Sequence, residues 1–567
     1  MRIELHRTVP NDPELRDAWN SLVQCMDWPE VFYTYEWAQA VALAYGNFFT
    51  PWLLLAYEGS ELTGVVALAV DAANRACFLC ANTADYCDFL SSVENRPALV
   101  EMALYTLRKA GIRHIALANL PENSPTGVAL SRLARAAGYH LGSRLGYLCA
   151  RVKLGSHDQR SQLKAAIKKR KSYRYGMNAL SRQGLVTLSH HTSWVDIAPL
   201  LQEFFMAHVA RFLSMNRFSN IARADRRLFL TELGRLLSQC GWCVLTRLCV
   251  GDRTVAWNLG FCFAGSWFYY QPTFETSLEK YSPGVCLLSG IISDACDRED
   301  VRIVDLGLGA EGYKERFVHE VRKTLFVTLS QSQTSHVRQI ARYRATELVK
   351  RSSRVESSVR ATLATLTGIK RRVAWANSGE KLAATTRFLM DVLSGRQQGH
   401  FYEWMRPPEP FPALSSLDQL VAIDLGVLAK AVMICEDDVE AQEYLQRAAR
   451  RLSSPTGDGF AVVDGNGEPL EFCWCSAFEG QHLGNTETPL SVPCPRAALI
   501  YDCFSPKSVR SRGQIGRAPA ALVQRLLKEG RTPWACVTGG QGPWMRALEE
   551  MGFAFRYKRI SRTGAAG

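Results

Sequence analysis

Two stretches of this chain predict the same order of secondary structure. Each stretch reads as a β-hairpin, a strand, a turn containing glycine, a helix, a further strand and a closing helix that ends at an aromatic residue. The first stretch runs from Trp242 to about residue 330, and the second runs from Gly459 to Phe553. Strands that alternate with helices in this way predict a mixed α/β (α+β) fold, and finding the order twice indicates that one fold is used repeatedly.

The length of 567 residues predicts three or four domains at about 150 residues each. A hairpin turning at 58–60 opens the first block, and strands and helices alternate after it. A basic helical connector separates the second block from the third. The predicted segments are 1–150, 151–335, 336–378 (the connector) and 379–567.

Composition predicts a cytoplasmic protein. The chain is 47% hydrophobic and 21% charged, its start lacks the apolar core of a signal peptide, and its apolar runs are too short to span a bilayer. The 17 cysteines lie inside apolar runs, which indicates buried thiols in a reducing compartment. Cys77 and Cys80 form a CxxC pair without a second pair, so no metal site is predicted.

The formal net charge of +13 is concentrated in two clusters. The second cluster lies between Arg338 and Arg372, in the connector. Basic helices can neutralise the phosphates of a cofactor, a nucleic acid or a membrane surface, but they are also common as solvated helices. No RNA-binding motif with interleaved aromatic residues accompanies either cluster. The first cluster comprises Lys164, Lys168, Lys169, Arg170, Lys171 and Arg174.

The second block resembles a known family of acyltransferases. The segments GDRTVAWNLGF (251–261), YYQPTFETSLEKYSPGVCLL (269–288) and DLGLGAEGYKERF (305–317) are similar to the acetyltransferase domain of CelD-type proteins of cellulose biosynthesis. This group is related to the FemAB aminoacyl transferases, which pair two GNAT-like halves. FYTYEWAQA (32–40) and ADYCDFL (84–90) resemble markers of the first half, so the resemblance covers about residues 5–330.

The third block resembles the GNAT core independently. The segment 508–527 stands where the family's acyl-CoA pyrophosphate loop belongs, which implies that Arg512, Gly513 and Gly516 bind a cofactor. Ile515 departs from the pattern, because a small residue is expected there. The third block therefore reads either as a poor CoA-binding domain or as a structural partner.

In the second block, the predicted pyrophosphate site is the turn that precedes the helix beginning near Ser282. A helix start offers free N–H groups and the positive end of the macrodipole, serine is a good N-cap, and glycine allows close approach to the backbone. Lys280 would add a charge-assisted contact. An ordinary helix start is the alternative interpretation. The residues assigned to this site are Lys280, Ser282, Pro283, Gly284, Val285 and Cys286.

The resemblance also implies where the chemistry would occur. Tyr270 and Gln271 lie on the strand that should offer a backbone N–H to the thioester carbonyl. Tyr313 matches the position at which GNAT enzymes often hold the general acid for the CoA thiolate. Glu275 and Asp305 are the candidate general bases, although Asp305 could equally cap the next helix.

The sequence thus predicts an acetyl-CoA-dependent (or other acyl-CoA-dependent) N- or O-acyltransferase without a metal. The resemblance implies a small-molecule or saccharide acceptor in the exopolysaccharide or cell-envelope pathway, with possible peripheral association with an envelope-synthesis complex. A FemAB-like transferase that uses aminoacyl-tRNA is the first alternative, because the cluster at 164–174 suits tRNA. A non-catalytic scaffold built from GNAT-derived domains is the second.

Overall fold

The computed structural model describes residues 2–309, 314–350, 396–404, 418–453, 457–478, 494–511, 515–538 and 542–562. They divide into two compact units, each built on one large sheet. Unit 1 comprises Met1–Arg211 and Arg223–Glu347, and unit 2 comprises Phe212–Ala222 and Leu348–Gly567. The prediction of a mixed α/β fold is confirmed.

Unit 1 contains a 13-stranded sheet. Its strands are β1 Arg2–His6, β2 Thr50–Glu58, β3 Glu61–Val70, β4 Arg75–Phe78, β5 Leu90–Ser91, β6 His114–Pro121, β7 His140–Lys153, β8 Val186–His191, β9 Cys243–Val250, β10 Arg253–Phe263, β11 Ser266–Phe274, β12 Ile303–Leu308 and β13 Glu320–Ser330. The helices that begin in this unit are α1 Pro13–Gln24, α2 Tyr35–Tyr45, α3 Arg96–Lys109, α4 Pro125–Leu133, α5 His157–Lys169, α6 Lys171–Ser181, α7 Trp194–Ile197, α8 Leu201–Ser214, α9 Ala224–Gln239, α10 Pro283–Ala295 and α11 Gln333–Lys350.

The sheet of unit 1 consists of two similar halves that exchange a strand. Its order is β1-β2-β3-β4-β6-β13-β7-β12-β11-β10-β9-β8, and β5 pairs with β3. In each half an antiparallel hairpin (β2–β3 or β9–β10) leads to a parallel pair, β4 with β6 or β11 with β12. The last strand of each half then inserts beside the parallel pair of the other half, because β13 pairs with β6 and β7 pairs with β12. The two halves therefore share one continuous sheet.

Local sequence explains the hairpins. The β2–β3 turn contains Gly59 at φ 60°, and the β9–β10 turn contains Gly251 at φ 57°, a backbone region that glycine enters without steric cost. In the second half, α10 packs one face of the sheet through Leu287, Leu288 and Ile291, all fully buried. The burial of this apolar face fixes the start of α10 at the edge of the sheet where β11 ends.

Unit 2 repeats the same order of elements on a 7-stranded sheet, β15-β16-β17-β18-β19-β14-β20. A hairpin (β16–β17) leads to the parallel pair of β18 with β19, and β14 lies between β19 and β20. Its strands are β14 Arg396–Trp404, β15 Gln419–Ala422, β16 Asp458–Val463, β17 Pro469–Ala477, β18 Ala497–Phe504, β19 Thr532–Thr538 and β20 Phe553–Arg562. The helices among its described residues are α12 Leu425–Ile434, α13 Val439–Leu452, α14 Lys507–Arg510, α15 Arg517–Lys528 and α16 Gly542–Glu550.

Candidate active site

Strands β11 and β12 of the second half separate from one another after a short parallel contact. Their last paired residues are Phe268 and Asp305. Beyond this point β11 continues against β10, whereas β12 shifts register and pairs with β7 through Leu308 and Cys149. Gly307, at φ 70°, lies in the shifted segment. The strands separate toward the end of β11 from which the chain continues to α10.

The start of α10 offers fewer free amides than the sequence predicts. The N–H of Ser282 donates to the Glu279 carbonyl at 2.8 Å, and the N–H groups of Val285 and Cys286 donate to the Ser282 carbonyl at 3.0 and 3.2 Å. Pro283 has no N–H. Gly284 therefore carries the one amide of this turn for which the described residues provide no acceptor.

The other predicted residues of this turn differ in their surroundings. Ser282 precedes the helix at φ 54° and ψ 50°, and its side chain caps no backbone N–H, contrary to the expectation of a serine cap. Pro283 and Cys286 are buried against the core of the second half, and burial raises the pKa of the Cys286 thiol to about 12. Gly284 and Val285 are half-buried. Lys280 is exposed, with Nζ 5.0 Å from the centre of the Tyr281 ring.

Helix α6 packs directly against this turn. A Cβ on Gly176 of α6 would lie 2.5 Å from the Tyr281 carbonyl oxygen and 2.6 Å from Cys286 Sγ, so only glycine allows the approach. Two cations of the first basic cluster are engaged within the protein. Lys164 pairs with Asp297 at 2.6 Å, and Arg170 donates to the Arg316 carbonyl at 2.7 Å. The cluster members that stay exposed are Lys168, Lys169, Lys171 and Arg174.

The residues predicted on β11 are tied into hydrogen bonds. The Tyr270 hydroxyl donates to the Thr83 carbonyl and accepts from Arg226 at 2.8 Å. Burial raises the pKa of Tyr270 to about 12. Gln271 hydrogen-bonds the buried His208, whose pKa burial lowers to about 3. Both predicted residues therefore hold β11 in place through their side chains.

The predicted bases occupy unequal environments. Glu275 Oε1 is shared by the guanidinium of Arg253 and the hydroxyl of Ser277 at 2.8 Å. Asp305 is 1% exposed and accepts from the Tyr86 hydroxyl at 3.0 Å and from the Gly307 N–H at 2.9 Å. Burial raises the pKa of Asp305, although nearby Arg151 opposes the rise. Asp305 thus binds the shifted segment of its own strand.

Sequence reasoning missed two carboxyl groups close to this separation. Asp85, from the first half, lies against Gly307, and burial together with the charge of Asp305 raises its pKa to about 7. Glu30 is buried beside Arg322, and burial raises its pKa to about 7 against the opposing charge of Arg322. A signal for Asp85 was present, because it lies within the segment ADYCDFL that marks the first half.

The corresponding helix start in unit 2 contains a buried carboxylate. Glu471, on β17, is fully buried and accepts from the N–H groups of Gly516 at 2.9 Å and Ala518 at 2.8 Å. The Ser505 hydroxyl donates to it at 2.7 Å. Burial raises the pKa of Glu471, and these donors oppose the rise. The amide of Gly516, predicted to bind a cofactor, is therefore already engaged.

Three predicted site residues lie outside the described residues, namely Tyr313, Arg512 and Gly513. Among the residues that the structure describes, no group of three or more His, Cys, Asp or Glu side chains is arranged to hold a metal ion. Likewise, none of the described helices has the length and apolar character needed to cross a bilayer.

A family model described as an acetyltransferase (GNAT) domain matches residues 168–315. Comparison with curated proteins gives no match. Among solved structures, FemX is 10% identical, with 58% of this chain and 97% of FemX covered at a TM-score of 0.40. A tandem GNAT protein from the clavulanic acid biosynthesis pathway is 13% identical, with 58% and 99% covered at a TM-score of 0.32.

The C-terminal domain of a putative lysylphosphatidylglycerol synthetase from Agrobacterium fabrum is also similar, at 13% identity, with 59% of this chain and 96% of that domain covered and a TM-score of 0.38. With identities this low, no residue role is transferred from these proteins. The expected GNAT-like fold is confirmed, and the GNAT domain match supports a transferase of that general class. It does not distinguish the CelD type.

Proposed function

We propose that this protein is an acyl-CoA-dependent N- or O-acyltransferase whose donor site is in the second half of unit 1. One observation carries the proposal. Strands β11 and β12 separate beside a helix start at which Gly284 is half-buried and its N–H has no acceptor among the described residues. Strands that stop pairing next to a helix start with an available amide suit a ligand that joins an apolar arm to a diphosphate.

The residues present fit such a donor, although fewer backbone N–H groups are available to bind it than the sequence predicts. Gly284 and the dipole of α10 would face the diphosphate, and exposed Lys280 would add a charge. The bound thioester would supply an activated acyl group. Tyr313 remains the proposed general acid for the leaving thiolate. Acetyl-CoA is the proposed donor, and a saccharide or cell-envelope precursor remains the proposed acceptor on the CelD-type resemblance.

Unit 2 does not provide a second donor site in this proposal. Glu471 occupies the amides that a diphosphate would need, and a second anion beside its carboxylate would be repelled. The donor stoichiometry should therefore be one acetyl-CoA per chain.

Calorimetry with acetyl-CoA on the full chain tests the proposal. Gly284→Leu should weaken binding at least about tenfold, a loss of about 1.4 kcal/mol, because the side chain covers the amide and presses on Phe274, whose ring already lies 3.2 Å from a Cβ at this position. Gly426→Leu is the matched control, since Gly426 is also the second residue of its helix, α12. Unchanged affinity in Gly284→Leu, or no binding by the wild-type chain, contradicts the proposal.

One observation favours the aminoacyl-tRNA alternative. The exposed cations Lys171 and Arg174 belong to α6, the helix that packs on the turn at 281–286. A polyanion bound there would reach the same helix start. Salt-sensitive tRNA binding without acetyl-CoA binding supports the alternative, and the absence of both supports a scaffold.

A further inference from the structure

We infer that Asp85, carried by the first half of unit 1, accepts the proton in the acyl transfer proposed for the second half. The inference rests on the proposed function and adds a residue to it. It makes the site composite, because the donor would be held by one half and the proton acceptor would be supplied by the other.

The position of Asp85 follows from its contact with Gly307 of β12, a residue that itself faces β11. A Cβ built on Gly307 of β12 would lie 2.5 Å from Asp85 Oδ2 and 3.9 Å from the Tyr269 carbonyl oxygen of β11. The carboxyl group therefore lies where β11 and β12 move apart. Gly307 also needs to be glycine for this reason, in addition to its φ of 70°.

The loop that carries Asp85 is fixed on both sides. Two residues before it, the Thr83 carbonyl accepts from the Tyr270 hydroxyl of β11. One residue after it, the Tyr86 hydroxyl donates to Asp305 of β12 at 3.0 Å. A side chain held between two anchored neighbours has little freedom to leave the gap, which is what a reacting group requires.

Asp85 is also free to react. It is half-buried, and none of the residues that the structure describes donates a hydrogen bond to it. The neighbouring carboxylate of Asp88 shows the opposite environment, because Ser124 donates to it at 2.6 Å, Thr126 at 2.5 Å and Arg96 at 3.3 Å. Asp88 thus stabilises the first half, whereas Asp85 accepts no hydrogen bond within the part of the chain that the structure describes.

The charges around Asp85 poise it for proton transfer near neutrality. Burial and the carboxylates of Asp305 and Glu30 raise its pKa to about 7, while Lys314 and Arg226 act in the opposite direction. A general base is most effective when its pKa lies close to the working pH. The contact with Gly307 places Asp85 where β11 and β12 separate, and its pKa suits a group that accepts a proton near neutral pH.

The proton balance of the transfer is complete. The acceptor's nitrogen or oxygen forms a bond to the acyl carbon, and its N–H or O–H proton passes to the Asp85 carboxylate. The carbon–sulfur bond breaks, and the leaving CoA thiolate takes up one proton from solvent while protonated Asp85 releases one to solvent, so the protein is unchanged after the transfer. Glu275 and Asp305 fit the accepting role less well, because Arg253 neutralises the first and Tyr86 and Gly307 occupy the second.

Release of the CoA thiol from saturating acetyl-CoA tests the inference, with glucosamine or water as the acceptor. Asp85→Asn should lower kcat by about 10²- to 10⁴-fold and remove the limb of the pH profile near about pH 7. Its affinity for acetyl-CoA by calorimetry should stay within about twofold of the wild type. Asp252→Asn, in the exposed β9–β10 turn, is the control that should keep both rate and affinity.

Wild-type kcat and an unchanged pH profile in Asp85→Asn overturn the inference and leave the proposed function intact. A wild-type chain that binds acetyl-CoA but releases no thiol also overturns it, because water is always present as an acceptor. A wild-type chain that fails to bind acetyl-CoA overturns the proposed function, and the inference with it.

Discussion

The long helix that connects the two strands of the parallel pair begins differently in the two units. At the start of α15 in unit 2, the buried carboxylate of Glu471 takes the N–H groups of Gly516 and Ala518. At the start of α10 in unit 1, Gly284 is half-buried and no described residue accepts from its N–H. The order of elements is the same in both places, so one acidic side chain on a neighbouring strand decides whether the helix start is available to an anion.

Helix α3 occupies the same position in the first half of unit 1, and like α15 it has a buried charged side chain at its start. Arg96 begins this helix, is 2% exposed and donates to the Ser91 hydroxyl at 2.9 Å, to the Ser91 carbonyl at 2.6 Å and to Thr126 at 3.0 Å. Its side chain fills the space beside the helix start. Of the three helices in this position, α10 alone begins without a buried charged residue among those described, which favours it as the ligand-binding one.

Removal of the internal carboxylate should have the largest effect on stability. Glu471→Ala leaves two buried amides and the Ser505 hydroxyl without their acceptor, so we expect the unfolding free energy of unit 2 to fall by about 3 kcal/mol or more. Denaturant unfolding of the full chain measures it. Glu468 is exposed in the turn between β16 and β17, so the control Glu468→Ala should change the unfolding free energy by less than about 0.5 kcal/mol.

If Glu471→Ala lowers the unfolding free energy only slightly, the helix start of unit 2 does not depend on its internal anion, and the contrast with α10 is wrong. Glu471→Gln sharpens the comparison. It keeps the shape and one acceptor oxygen, so its loss should lie between those of the wild type and Glu471→Ala.

Replacement of Asp85 should raise the unfolding free energy near neutral pH, whereas replacement of Glu471 should lower it. Its pKa of about 7 in the folded chain lies above its ordinary value near about 4, so ionisation opposes folding. The stability associated with the protonated form is fully present below about pH 4 and is lost as the pH rises through about 7. We therefore expect Asp85→Asn to be more stable than the wild type at about pH 8 and to lose most of that advantage at about pH 5.

Urea unfolding at these two pH values measures the Asp85 effect, and Asp252→Asn, in the exposed β9–β10 turn, is the control. If Asp85→Asn destabilises the chain at the higher pH, then Asp85 has partners in the folded protein as Glu471 does, and the contrast between the two carboxyl groups fails.

The smallest expected effect concerns Lys280. Because this side chain is exposed, Lys280→Ala should weaken acetyl-CoA binding only about two- to fivefold, and the difference should shrink in high salt. Lys109→Ala, at the exposed end of α3, should leave the affinity unchanged. Calorimetry at low and high salt checks both. An effect of Lys280→Ala that is insensitive to salt would argue against a charge contact at the start of α10.

Much of the fold could be predicted from sequence because its signals are local. The hairpin turns at Gly59 and Gly251, and the helix start at Pro283, depend on backbone preferences that a short segment carries by itself. The exchange of β7 and β13 between the two halves could not be predicted. Strand partners far apart in the chain leave no periodic mark on either strand.

The candidate site divides in the same way. The sequence by itself determined that a glycine would stand at the start of α10, and that the pair Asp85–Tyr86 would follow Ala84. Only the tertiary structure decided that Glu471 fills the start of α15 and that Asp85 lies against Gly307, where β11 and β12 stop pairing. The physical reason is that burial and hydrogen-bond satisfaction depend on partners brought together by folding, whereas turn and helix-start preferences belong to the residue itself.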